Sequence, residues 1–250
     1  MEVLMGWRQM LVVGVGLMSM RTARADELRA PQKANAEVST TQSGPLTTRA
    51  AVADMQGNPE QARELANQAI RANPRDPWPY YNKGMALAQL GETDGALAAL
   101  FAAEQHFAQT DRWGRSVAIY GRAHALKYDA PRFSAAMERA IELTDDDTFQ
   151  GDLYADLAHD TAGRGGMFPV LPATEVVEGW VDRALELAKP GSRAAAKALL
   201  ARSHWRRSRG ISTGLQEAID ASALVVGIDD PDLEVVALND LVLSSVVAGE

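Results

Sequence analysis

No cysteine occurs in the 250 residues. That absence excludes disulfides, thiolate metal sites, a cysteine nucleophile and an acylated lipoprotein cysteine, and it leaves the redox compartment open. Strand signals are nearly as scarce, since no run alternates convincingly and the β-branched residues are scattered. There is no excess of positive charge either. The formal net charge is −8, which argues against nonspecific nucleic-acid binding, because phosphates demand a basic surface. Signatures of catalysis are missing: there is no Ser-His-Asp arrangement, no zinc-binding helix motif and no nucleotide loop. The four histidines are scattered, so catalysis has few candidates and no cofactor or metal site is indicated outright. What remains is a chain that is 46% hydrophobic with ordinary glycine and proline content, enough for one large domain or a continuous repeat core.

The first 25 residues read as a secretory signal. Arg8 precedes the apolar run MLVVGVGLMSM (residues 10 to 20), and Ala23-Arg24-Ala25 offers an A-x-A cleavage site. The run falls short of the about 20 apolar residues of a comfortable membrane span. A start at Met5 would leave Glu2 out and give a cleaner basic leader. Cleavage removes three arginines and one glutamate and takes the net charge from −8 to −10. The expected setting is secreted or periplasmic, with membrane contact only if the segment stays uncleaved as an anchor. Residues 26–44 are polar and read as a flexible spacer that cannot bury enough to fold, and residues 45–250 as the folded domain.

The domain is organised around DPWPYYNKGMALAQLGETDGALAALFAAEQHFAQT (residues 76 to 110). Asp76-Pro77 reads as an N-cap with proline at the first helical position. A helix to about Leu90 stops at Gly91, and a second runs from about Thr93 to about Phe107. So short a turn makes the two pack antiparallel. Gly84, Ala86, Ala88, Ala96, Ala99 and Ala103 allow close approach, while Tyr80, Leu87, Leu90, Leu97 and Leu100 fill the interface. The spacing recurs: Gly57 and Gly91, Ala62 and Ala96, and Ala69 and Ala103 are each 34 residues apart. With that period of helix–turn–helix units, the chain resembles the tetratricopeptide-repeat family. Tyr80, Gly84, Leu87, Ala96, Leu100 and Ala103 stand at the pattern's positions, Pro74 fits the closing proline, and Lys83 departs from the expected leucine. The resemblance covers residues 45–143 well and 144–230 only loosely. It implies an all-α, right-handed superhelical solenoid of about five antiparallel helix pairs with a C-terminal capping helix.

The other units follow. Leu46, Ala50 and Ala53 line the first helix, and Pro59 opens a second carrying Ala62, Leu65, Ala66, Ala69 and Ile70. In the third unit, Val117, Tyr120, Gly121 and His124 face Phe133, Met137, Ala140 and Ile141, with Phe133 where alanine is usual. The fourth pairs residues 147 to 162 with a helix from about Thr174 to Lys189, striped by Val177, Trp180, Val181, Ala184, Leu185 and Ala188. Between them lies the long loop GRGGMFPVLPA (residues 163 to 173). The fifth pairs Ser192–Arg209 with about Thr213–Val226. A last helix opens at Asp230-Pro231 and carries Val235, Val236, Leu238, Leu241, Val242 and Val246, rather apolar for a cap.

The resemblance implies where a partner would sit. First helices of such repeats line a concave groove, which places Trp78, Tyr81, Met85, Gln89, Arg115, Ala118 and Arg122 there. Exposed Trp and Tyr are good anchors, although both could instead pack between repeats. Some members hold a partner's carboxylate at set positions. Here Asn82 and Arg115 occupy two of those, whereas Thr47, Ala51 and Ile119 occupy three others and cannot do so. The implied function is a non-catalytic scaffold that captures a peptide or protein surface. Three further features have competing readings. Asp152, Asp156, His159 and Asp160 share a helix face and could ligate a metal or serve an enzymatic site with the 163–173 loop, or form an acidic wall. GRGG lacks a preceding strand and a following Lys-Ser/Thr, so it reads as an insertion, its apolar Met167, Phe168, Val170 and Leu171 either folding back or offering a contact. His204-Trp205-Arg206-Arg207-Ser208-Arg209 is a basic patch that could take an anion, or simply suits a helix's last turn. The apolar last helix leaves a third reading, an oligomerising structural subunit.

Overall fold

The computed structural model describes residues 44–126 and 128–249; the leader and nearly all of the spacer lie outside them. Among the described residues there are eleven α-helices and no strand. The helices are α1 (Gly44–Met55), α2 (Pro59–Ala72), α3 (Pro77–Gln89), α4 (Thr93–His106), α5 (Arg112–Ala125) and α6 (Ala130–Leu143), then α7 (Asp147–Gly163), α8 (Thr174–Leu187), α9 (Arg193–Ser208), α10 (Leu215–Val225) and α11 (Pro231–Ala248). A short 3-10 turn, Gly165–Met167, follows α7. The chain is a tandem series of antiparallel helix pairs, divided into two compact units between Leu153 and Tyr154, within α7.

Local chemistry explains the helix starts. The Asp76 carboxylate accepts from the Trp78 N–H at 3.1 Å, Asp111 from Gly114 at 2.8 Å, and Asp230 from Leu233 at 3.0 Å. Each satisfies a donor that a helix N-terminus otherwise leaves unpaired. Proline holds the first or second position of α2, α3, α6 and α11, where its missing N–H costs nothing. The C-terminal bounds of α8 and α10 are tighter than the sequence suggests, ending at Leu187 and Val225.

In the N-terminal unit, Leu100 of α4 is fully buried between two glycines. A Cβ on Gly84 would stand 2.4 Å from Leu100 Cγ, and one on Gly121 would stand 2.8 Å from Leu100 Cδ2. Three helices thus meet at one leucine because α3 and α5 present bare backbone to it. Tyr80 closes the same hairpin from the side, stacking on His106 with ring centroids 4.7 Å apart.

The C-terminal unit has two apolar clusters. One gathers Ala155, Ala158, Val177, Val181 and Ala184 around Trp205. The other gathers Leu200, Val225, Leu233 and Ala237. Arginines of α9 tie it to three neighbours. Arg202 reaches Glu178 of α8 at 2.8 Å, and Arg206 bridges Glu178 and Glu217 of α10 at 2.7 and 2.6 Å. Arg207 holds Asp240 of α11 at 2.6 Å. The outer face of α11 leaves Val235, Leu238, Val242 and Val246 exposed, while Val236 turns inward against the second cluster.

Candidate functional site

The groove expected in the N-terminal unit is built differently from the sequence reading. Trp78 is 4% exposed and Tyr81 only 1%. Trp78 sits edge-on to Tyr81 and Phe107, with centroids 5.9 and 5.1 Å away, and 5.8 Å from Trp113. These rings are the unit's aromatic core, so they offer no anchor to a partner in this conformation. The physical reason is their size: aromatic rings gain most from burial where successive hairpins meet. Met85 and Gln89 are half-buried, and Met85 lies against the bare backbone of Gly121. Arg115 and Arg122 both turn to Glu104 of α4, at 3.7 and 2.8 Å, and Arg122 also covers the Phe101 ring at 5.7 Å. Asn82 is buried and donates to the Thr47 carbonyl at 3.0 Å. It links two repeats rather than facing a carboxylate.

The acidic face of α7 does not form a ligand set. Asp156 pairs with Lys197 of α9 at 2.5 Å and Asp160 with Arg164 at 2.7 Å, while Asp152 is exposed. Among the described residues, no group of three or more metal-ligating side chains is placed to hold an ion.

Three stretches that the sequence presents separately do converge, in the C-terminal unit. A cavity of about 480 Å³ is walled by the end of α7, the glycine-rich loop, the last turns of α9 and the middle of α11. His159 and Asp160 come from the acidic face, Gly165 and Leu171 from the loop, and His204, Arg207 and Arg209 from the basic patch. The loop's apolar residues divide: Leu171 folds back onto the Trp205 cluster, whereas Val170 is exposed. Leu200, Ala201, Val236 and Leu243 give the cavity its apolar wall. Asn239 and Asp240 of α11 complete it and were missed from sequence. Their signal was present, since they are the polar pair in the middle of an otherwise apolar run, VVALNDLVL.

Its electrostatics follow from burial and pairing. Burial pushes the His159 imidazole down from its ordinary 6.5 to about 4, outweighing the Asp160 charge that favours protonation. Burial likewise lowers His204, against the pull of Asp240. Both rings are therefore neutral at pH 7, each with one donor and one acceptor. Arg164 and Arg207 are spent on Asp160 and Asp240. Arg209 instead stacks over the Trp205 ring at 4.9 Å.

The His159 shift makes a prediction. Its folded value lies below its unfolded one, so between pH 6.5 and 4 the unfolded chain binds the extra proton. Stability is then complete above the unfolded value and falls with pH toward about 4. The loss attributable to this group reaches up to about 3 kcal/mol. Denaturant unfolding at pH 7, 5 and 4 should show His159→Gln losing less than the wild type; parallel losses would refute the assignment.

The sequence of residues 55–119 matches the family model described as tetratricopeptide repeat. No protein in the curated set matches the chain. Among solved structures, it is similar to a thermophilic tetratricopeptide-repeat protein of Thermus thermophilus. The two are 17% identical with a TM-score of 0.59, over 80% of this chain and 99% of that one; at that identity the likeness concerns the fold. Among the described residues, no helix is long and apolar enough to cross a membrane. Repeats of this kind generally mediate protein–protein interactions. Residues 55–119 thus match the tetratricopeptide-repeat model, and the all-helical fold that carries them is that of a tetratricopeptide-repeat solenoid.

Proposed function

We propose that the protein is a non-catalytic interaction scaffold, and that the cavity between α7, α9 and α11 receives a segment of its partner. The observation that carries this reading is the cavity itself. It has the volume of a specific binding pocket, an apolar wall and a few converging polar groups, the usual composition of a recognition site. The pairing of Asp160 and Asp240 with arginines favours binding over acid–base chemistry, because both carboxylates are already held as charge partners. The apolar run of residues 10–20 and the A-x-A site at Ala23-Arg24-Ala25 are what support a secreted or periplasmic setting in this reading.

The test is a displayed random-peptide library panned against the full chain. Peptides recovered on the wild type should bind an Asn239→Trp variant at least about tenfold more weakly, since the indole fills the cavity. Circular dichroism verifies that the variant keeps its helices. Equal binding to both proteins, or no recovered peptide, would count against the cavity as the receiving site.

A further inference from the structure

The whole chain is acidic, yet the cavity lining is not. Arg164, Arg207 and Arg209 face Asp160 and Asp240, which leaves the lining one positive charge in excess on a protein of net charge −8. Two of those arginines are neutralised in place at 2.7 and 2.6 Å. The third, Arg209, is exposed at the cavity wall and makes no ion pair among the described residues, and its guanidinium stacks over Trp205. Around it, the side chains of His204, His159 and Asn239 line the space, with no side-chain hydrogen bond to another described residue. Polar groups at a pocket wall that the fold does not satisfy are satisfied by water or by a ligand. Here they are an oriented cation, an amide and two imidazoles beside Leu171, Leu200 and Leu243.

From this geometry we infer that the cavity binds a single carboxylate borne on a compact apolar group, the carboxylate meeting Arg209 with His204 and Asn239 donating beside it. A charge-assisted bond from guanidinium to carboxylate is the strong contact, and the cation–π stack spares the arginine the entropy of being ordered on binding. The alternatives fit less well. A ligand cation would face an excess of positive charge. A dianion would need more unpaired cations than Arg209 supplies. This inference rests on the cavity being the scaffold's receiving site. The carboxylate could belong to the end of a partner's chain or to a small organic acid.

The experiment uses the full chain with ¹⁵N-labelled histidine and asparagine. It is titrated with N-acetyl-leucine, N-acetyl-leucinamide, and a hexapeptide ending in Ala-Leu as free acid and as amide. Each acid should shift the His204 and Asn239 side-chain resonances and bind at least about tenfold more tightly than its amide. Arg209→Met, which keeps the stem over Trp205 and removes the charge, should erase that acid-over-amide preference. Tighter binding of the peptide acid than of N-acetyl-leucine assigns the carboxylate to a partner's chain end, and equal binding assigns it to a small acid. Acid and amide binding alike, or a preference that survives Arg209→Met, overturns the carboxylate assignment. If library-selected peptides still depend on Asn239, the scaffold reading stands in that case; if they do not, both fall together.

Discussion

Lys197→Met is expected to destabilise the C-terminal unit by about 3–5 kcal/mol, the cost of removing one partner of a buried ion pair. Lys197 of α9 meets Asp156 of α7 at 2.5 Å, with side chains only 10% and 7% exposed. Methionine fills the same volume, so packing is nearly conserved and the loss falls on electrostatics. Asp156 then loses a cation 2.5 Å away in a largely dry environment, which favours uptake of a proton. Its folded pKa should rise relative to the wild type, so the variant's deficit is present near pH 7 and shrinks as pH falls through the raised value. The double variant Asp156→Leu/Lys197→Met removes both charges and should recover much of the stability, because an apolar pair of similar volume often does as well as a buried ion pair. Denaturant unfolding of the three proteins at pH 7 and pH 5 checks this. A loss under about 1 kcal/mol for the single variant, typical of exposed pairs, would mean that the pair is solvated.

That pair also marks how far the sequence could be read. The helices were legible, because most repeat their apolar residues at three- and four-residue steps, and five of them open behind an Asp or Ser cap. Lys197 was legible in principle. It falls on the same stripe as Ala194, Ala198, Ala201 and Trp205, all buried, where a lone cation demands a buried partner. Its partner lies 41 residues away, and no local pattern names it. The same limit explains the groove. Family position put Trp78 and Tyr81 on first helices correctly, but whether an inward ring faces solvent or the next hairpin depends on how closely hairpins pack. Gly84 and Gly121 bring those hairpins together and take the rings inside. The cavity was legible only in fragments, as an acidic helix face, a glycine-rich loop and a basic patch. Helix stacking alone turns them toward one another, and in doing so it pairs two of the arginines and leaves the third.

Gly214→Ala should cost about 2–5 kcal/mol, far more than one added methyl group suggests. Two separate effects combine. Gly214 caps α10 at φ +71, in the left-handed region, where an L-residue gives up roughly 1–2 kcal/mol. Its missing side chain also makes room for a neighbour. An ideal Cβ would lie 2.5 Å from the Ser203 carbonyl oxygen and 2.9 Å from Ser203 Cα. Those are backbone atoms in the middle of α9, so no rotamer change relieves the overlap and α10 must move away from α9. Over-packing of this kind typically adds a further 1–3 kcal/mol. Gly210 supplies the control within the same connection: it too is left-handed, at φ +65, but nothing lies within 4 Å of the Cβ it would gain. Gly210→Ala should therefore show the conformational cost alone, about 1 kcal/mol. The difference between the two variants, read from denaturant midpoints at constant slope, measures how closely α10 approaches α9. Equal losses would mean that the close approach at Ser203 is absent, and the packing of α10 onto α9 would have to be redrawn.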